Sequence, residues 1–143
     1  MKSILVALSL LSANFVFASH SETPTLEISV QKVNNYVMST GVSGYVPAII
    51  MTAADMKNEE GKAFGDFQIV IYGEAVKQFA DPTEGPKLVR MAKEAGAKLV
   101  LCKFALKKFG IDKSQLPVGL DYVDNAFKHA INLQKKGYFA LGL

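Results

Sequence analysis

Cys102 is the single cysteine of the 143-residue chain, and its setting makes it the first candidate for chemistry. It follows the apolar run Ala97-Lys-Leu-Val-Leu101 and directly precedes Phe104–Phe109, which reads as a short helix stopped by Gly110. A thiol at a helix start faces unpaired backbone N–H groups and the positive end of the helix dipole, which favour the thiolate. Lys103, Lys107 and Lys108 add positive charge nearby. A thiolate is a nucleophile and can take up sulfane sulfur as a persulfide. The same position also suits an inert, buried thiol, because free cysteine is among the most buried residue types.

Other residues with chemical potential surround this one less closely. Glu74 follows Tyr72-Gly73. Beside the thiol it would hold a proton or tune the thiolate; otherwise it is first-turn charge on the short helix that follows. Lys107-Lys108 reads most simply as a solvated face, and Asp55 and Asp124 as helix caps. His129 lies among Asn125, Lys128 and Asn132 on the polar side of the last helix, which predicts a solvent-exposed ring. His20 is far away in sequence. Two distant histidines and one cysteine make no zinc spacing. The chain lacks GxGxxG, GxxxxGK[ST] and GxSxG, so no motif supports a nucleotide site or a serine hydrolase. Neither histidine has a place near Cys102, which argues against a cysteine protease.

These residues need elements that bring them together. Phe67–Tyr72, Ala97–Leu101, Leu120–Val123 and Tyr138–Leu141 read as strands, as does the run Ala48-Ile-Ile-Met51 inside 46–52. Asp55–Gly65 is helix-compatible, Ala75–Phe79 is a helical turn, and Pro86–Ala95 is a helix with Gly96 just past its end. Asp124 is positioned to cap a last helix over 125–136, on which Phe127, Ala130, Ile131 and Gln134 share one side. Leu26, Val30, Val33 and Val37 fall at helical spacing ending before Gly41; the alternation Leu26-Ile28-Val30 also fits a strand. Short apolar strands separated by helices predict βαβ units and a mostly parallel, five-stranded sheet with helices on both faces. In such sheets sites gather beyond the carboxyl ends of the strands. That crest would hold Thr52–Asp55, Gly73-Glu74, Cys102-Lys103 and Asp124-Asn125.

Composition sets the bounds. Half the chain is apolar and 20% is charged, which excludes a disordered chain. One cysteine excludes a disulfide scaffold. A net charge of +3, from 16 basic and 13 acidic residues, is no argument for nucleic acid. Met1-Lys2-Ser3, the apolar stretch Ile4–Phe17 and the small residues of Val16-Phe17-Ala18 form a secretory signal pattern. The competing reading, an uncleaved anchor, is disfavoured because the apolar run is short of the ~20 residues a spanning helix needs. The organisation expected is a signal peptide over 1–18, an extension over 19–45 containing a helix, and an α/β domain over 46–143. A cleaved chain begins near Ser19 and, in a bacterial envelope, occupies an oxidising compartment.

The ordered set Ile69-Val-Ile-Tyr-Gly-Glu-Ala-Val76, Ala95-Gly-Ala-Lys-Leu-Val-Leu-Cys102, Leu120–Asn125 and Leu133-Gln-Lys-Lys-Gly-Tyr138 resembles the DsrE/DsrF-like family of sulfur-relay proteins. The resemblance implies a three-layer α/β/α sandwich, usually assembled into oligomers, here a homo-oligomer. It implies a persulfide-carrying cysteine after the third strand, which Cys102 matches. Lys103 and the helix start would then stabilise the anion, and Gly73, Glu74 and Asn125 would shape the pocket. The resemblance implies a sulfurtransferase-like carrier; the family's best-understood members act in the cytoplasm, and the expectation of a periplasmic protein comes instead from the signal pattern. The carrier's partners are donor and acceptor proteins or small sulfur compounds, with no nucleic acid and no membrane span after signal cleavage. Thiol exchange of this kind needs no metal or organic cofactor. Two rivals come from the residues alone: a non-catalytic binding or assembly module in which Cys102 only fills space, and a redox sensor that dimerises through Cys102. N-terminal mass spectrometry of the secreted fraction is expected to find Ser19 as the first residue; an intact Met1 there would reject cleavage.

Overall fold

A computed structural model of the protein describes residues 32–143. The signal-like segment, the expected start at Ser19 and the Leu26–Val30 part of the expected first helix lie outside the described residues.

Five strands form one sheet in the order β4-β3-β2-β1-β5, and every pair is parallel. They are β1 (Asn34–Thr40), β2 (Phe64–Ile71), β3 (Ala97–Cys102), β4 (Asp121–Val123) and β5 (Phe139–Gly142). The helices are α1 (Tyr45–Glu60), α2 (Glu84–Ala95), α3 (Lys103–Lys108) and α4 (Ala126–Lys135). A 3-10 segment, Gly73–Ala80, follows β2. Alternation along β2 shows that helices take both faces. Phe67 shares a cavity with Thr52 and Met56 of α1, whereas its neighbour Gln68 bonds His129 of α4.

The first half of this architecture departs from the sequence expectation. Residues 34–40 are not a helix but β1, which lies between β2 and β5. The α/β body therefore includes residues 34–45 and does not begin at 46. The strand expected over 46–52 is instead the first half of α1. The apolar run Ala48–Met51 misleads because only part of it is buried. Val46, Ile49, Ile50 and Ala53 are buried, a helical i, i+3, i+4, i+7 set, while Ala48 and Met51 face out. Pro47 sits in the first turn, where its missing N–H costs no helix hydrogen bond. In β1, Tyr36, Val37 and Met38 are all buried. A central strand covered on both faces loses the period-two signal, and the spacing of Val33 and Val37 then mimics a helix. As a consequence Asp55 is an interior residue of α1 and not a cap, and Thr52–Asp55 do not reach the sheet crest.

The core lies mainly between the sheet and the α1/α2 layer, where Phe79, Ile69, Ile71, Leu88, Leu99 and Leu101 are essentially inaccessible. On the other face α4 buries Ala126 and Leu133 and leaves Phe127 and Ile131 exposed. The side of α4 that Phe127 and Ile131 share is therefore not its core side. Replacing Phe79 by Ala is expected to cost about 3–5 kcal/mol, because it opens a large cavity in a sealed core. Phe104→Ala on the surface should stay within about 0.5 kcal/mol. Urea unfolding checks both; equal midpoint shifts would contradict this packing.

Candidate functional site

Parallel pairing places the carboxyl ends of β1 to β4 on one edge of the sheet. Thr40 closes β1. Its hydroxyl accepts from the Val42 N–H at 3.1 Å, and its carbonyl accepts from the Tyr72 N–H at 3.0 Å. These bonds hold the turn after β1 against the end of β2. The approach is close: a Cβ on Gly41 would meet the Tyr72 ring at 2.8 Å. Gly73 then turns the chain with φ +57°, a conformation that disfavours a side chain.

Cys102 ends β3 in register with Val123 of β4 and occupies the N-cap position of α3. Its side chain makes no cap bond to that helix. The thiol lies 3.8 Å from the Asp124 carbonyl oxygen and can donate to it. The same oxygen accepts from the Phe104 N–H at 3.4 Å. One carbonyl thus ties the β3–α3 elbow to the β4–α4 elbow. The residue is buried, with 6% of its surface exposed. It nevertheless forms part of the wall of a cavity of about 350 Å³ at the sheet crest. Tyr72, Phe104 and Phe127 supply aromatic walls, Gly73 and Ala105 leave space, and Lys108 and Asn125 supply the polar groups. The Tyr72 and Phe127 rings pack with centroids 5.0 Å apart.

Of the residues expected at this site, Cys102, Gly73 and Asn125 come together around one cavity. Glu74 and Lys103 do not line it. Glu74 is 75% exposed by side chain and lies 3.6 Å from Lys77. Lys103 pairs with Asp124 at 2.9 Å. The hydrogen bond from Lys103 holds the Asp124 carboxyl below its ordinary range, and Lys113 and Lys128 act in the same direction. Asp124 is not the cap of α4. Asn125 is: its Oδ1 accepts from the N–H groups of Phe127 at 2.9 Å and Lys128 at 3.1 Å. The helix begins one residue later than expected, and Asn and Asp cap equally well, so composition alone does not separate them.

Tyr72, Phe104, Ala105, Lys108 and Phe127 are cavity residues that sequence reasoning missed. A signal existed. Phe104 and Lys108 are four residues apart, one helical turn, so both can face the crest. Phe127 is the second residue after the Asn125 cap, in the turn of α4 nearest the strand ends.

His129 is also placed differently from expectation. It is half-buried, and its Nε2 lies 2.8 Å from Gln68 Oε1. Gln68 donates its amide N–H to Asp66, leaving Oε1 to accept from the imidazole. Asp66 also accepts from Tyr138 at 2.8 Å and pairs with Lys98 at 2.6 Å. Burial lowers the His129 pKa, Lys136 adds to that effect and Asp66 opposes it. For Asp66, burial alone would raise the carboxyl, but the bonds from Lys98, Gln68 and Tyr138 outweigh it and hold the group low. The network is anchored on Lys98, four residues before Cys102 on β3, about 13 Å along the strand. It buttresses α4 and is separate from the cavity. Among the described residues no cluster of histidine, cysteine, aspartate or glutamate could hold a metal ion. No helix there is long and apolar enough to cross a membrane.

With this geometry in view, the similarity to known proteins is informative. The family model described as "DsrE/DsrF-like family" matches residues 35–141. The chain belongs to the DsrE/DsrF-like family. The match begins at β1, in agreement with that strand being part of the sheet. Two solved structures share the fold. The protein of unknown function MTH1491 from Methanobacterium thermoautotrophicum superposes with a TM-score of 0.61 at 16% identity, covering 78% of this chain and 100% of that one. The conserved protein of unknown function BT1422 from Bacteroides thetaiotaomicron gives 0.57 at 18% identity, covering 75% of this chain and 94% of that one. No curated protein matches the chain significantly in sequence.

The half-buried network around Asp66 and His129 has a pH consequence. The folded His129 titrates below its ordinary 6.5, so the unfolded chain binds the proton first and stability falls as pH drops below about 6.5. Asp66 is depressed in the folded state, so its contribution is present above pH 3.8 and is lost as pH falls through the lower folded value. His129→Gln is expected to flatten the upper part of the acid limb; Asp66→Asn is expected to flatten the lower part and, by removing a charge that supports the imidazolium, to steepen the upper part. Urea midpoints across pH measure this; an unchanged limb in both variants would reject the network.

Proposed function

We propose that the protein is an exported sulfur carrier that holds sulfane sulfur as a persulfide on Cys102 and passes it to an acceptor thiol. The observation that carries this reading is the position of the thiol in a chain of the DsrE/DsrF-like family. The lone cysteine is the last residue of the third strand, on the wall of an aromatic-lined cavity at the carboxyl edge of a parallel sheet. Export is the part of the reading that rests on residues 1–18 alone.

Loading balances without a cofactor. The Cys102 thiolate attacks the outer sulfur of a thiosulfate or polysulfide donor. A new S–S bond forms at Cys102, the donor S–S bond breaks, and the leaving sulfite or shortened polysulfide keeps the electron pair. In the second half the acceptor thiolate attacks the outer sulfur and Cys102 leaves as thiolate. The cavity walls favour such a cargo. Tyr72, Phe104 and Phe127 offer aromatic faces to polarisable sulfur. Lys108 is the cation at the cavity nearest in place to the role expected of Lys103.

A second reading has its own support. The thiol is nearly covered and directed at the Asp124 carbonyl, as in a cysteine that only closes a strand end within a binding or assembly module. The two readings separate experimentally. Intact-mass spectrometry after thiosulfate or polysulfide treatment is expected to show the gain of one sulfur atom, absent in Cys102→Ser. No adduct, or an adduct that survives Cys102→Ser, would reject the carrier. In that case iodoacetamide should label the native thiol slowly and the unfolded thiol fast, as the module reading requires.

A further inference from the structure

The mouth of the cavity carries more apolar surface than the cavity itself uses. Phe104 on α3 and Phe127 on α4 flank the opening and are 63% and 62% exposed. Ile131, one turn beyond Phe127, is also exposed. Nothing among the described residues covers them. Two large aromatics so exposed on opposite lips of one recess form a patch of the kind that marks an interaction site, unlike singly scattered apolar residues.

The charge around this patch is one-sided. Lys107, Lys108, Lys113 and Lys128 have no carboxylate within ion-pair distance among the described residues. Lys108 and Lys113 lie instead over aromatic rings, at 5.5 Å from the Phe109 centroid and 4.3 Å from that of Tyr122. Asp112, next to Lys113 in the chain, accepts from Ser114 and offsets one of these charges; the other two local carboxylates are ion-paired. Glu74 is paired with Lys77, and Asp124 is paired with Lys103 while also lying in the field of Lys113 and Lys128. An apolar centre inside a rim of unpaired lysines is complementary to an acidic surface with apolar residues at its middle.

We propose that Phe104, Phe127 and the surrounding lysines form a docking surface for an acidic protein partner. For its purpose, delivery or removal of sulfur at Cys102, this inference rests on the carrier reading. The shape favours a protein over a lipid surface. The patch surrounds a concavity, and a nearly buried cysteine at the cavity wall is reached by a protruding group, which a flat bilayer does not offer. Lysines at the rim act over a Debye length and raise the encounter rate, while the phenylalanines hold the bound state.

The test keeps sulfur chemistry out of the measurement. Fluorescence anisotropy follows the Cys102→Ser protein with two labelled peptides. One has a Leu-Ser-Leu centre flanked by glutamates, and the other has lysines in place of the glutamates. The acidic peptide should bind about tenfold more tightly, and the difference should shrink between about 0.05 and 0.3 M NaCl. The double change Lys108→Glu with Lys128→Glu should weaken it at least about fivefold, as should Phe104→Ala with Phe127→Ala. Equal affinities, binding of neither peptide, or insensitivity to both double changes would overturn the docking surface. So would tighter attachment to phosphatidylserine vesicles than to the acidic peptide. Peptide binding without sulfur uptake in the mass experiment rejects the carrier and keeps the surface; uptake without peptide binding does the reverse.

Discussion

Parallel hydrogen bonding between strands is the constraint on which the rest depends. It forces each chain crossing to return over a face of the sheet, so the strand ends gather on one edge. Residues at 41, 73, 102 and 125 are far apart in sequence, yet they stand at the ends of neighbouring strands β1, β2, β3 and β4. An antiparallel arrangement of the same segments would scatter them over two edges. The cavity is thus a product of strand direction before it is a product of any side chain.

Local ties then shape that edge. The Thr40 carbonyl receives the Tyr72 N–H, and Gly41 has no Cβ, so the Tyr72 ring can lie against the first turn. The Asp124 carbonyl receives both the Phe104 N–H and the Cys102 thiol, which joins two elbows through one acceptor. Asn125 caps α4 and aims its first turn so that Phe127 meets Tyr72. These are backbone and capping bonds, and they position the aromatic walls; among the described residues Lys108 is the charged residue lining the recess. The charged pairs Lys103–Asp124 and Glu74–Lys77 belong to the surface, where such pairs contribute little to stability. The local positive field comes from Lys107, Lys108, Lys113 and Lys128, which have no ion-pair partner among the described residues.

The DsrE/DsrF-like family relation and the similarity to two proteins of unknown function agree on the fold. They leave the chemistry to be argued from the site. Cys102 is recessed but not sealed, since it forms part of the cavity wall. Recessed sulfur demands that each partner bring its own sulfur to the cavity. An exposed aromatic and basic rim is a coherent companion to such a recess.

Several parts of this protein were determined by the sequence alone. β2, α2, β3 and α3 are legible because their apolar periods and glycine stops agree at every level, as at Ala97–Cys102 followed by Lys103–Lys108 and Gly110. The strand-end position of Cys102 follows directly. Tertiary structure decided the rest. β1 is covered on both faces, so its pattern carries no alternation, and α1 begins with a contiguous apolar run that reads equally as a strand. His129 looks exposed by its neighbours in sequence, but it meets Gln68 from a strand 61 residues away. Lys103 pairs with Asp124 at the surface, while Lys108 further along α3 lines the cavity, a difference the sequence does not show. Periodicity reports which face of an element is apolar; only packing reports what that face meets.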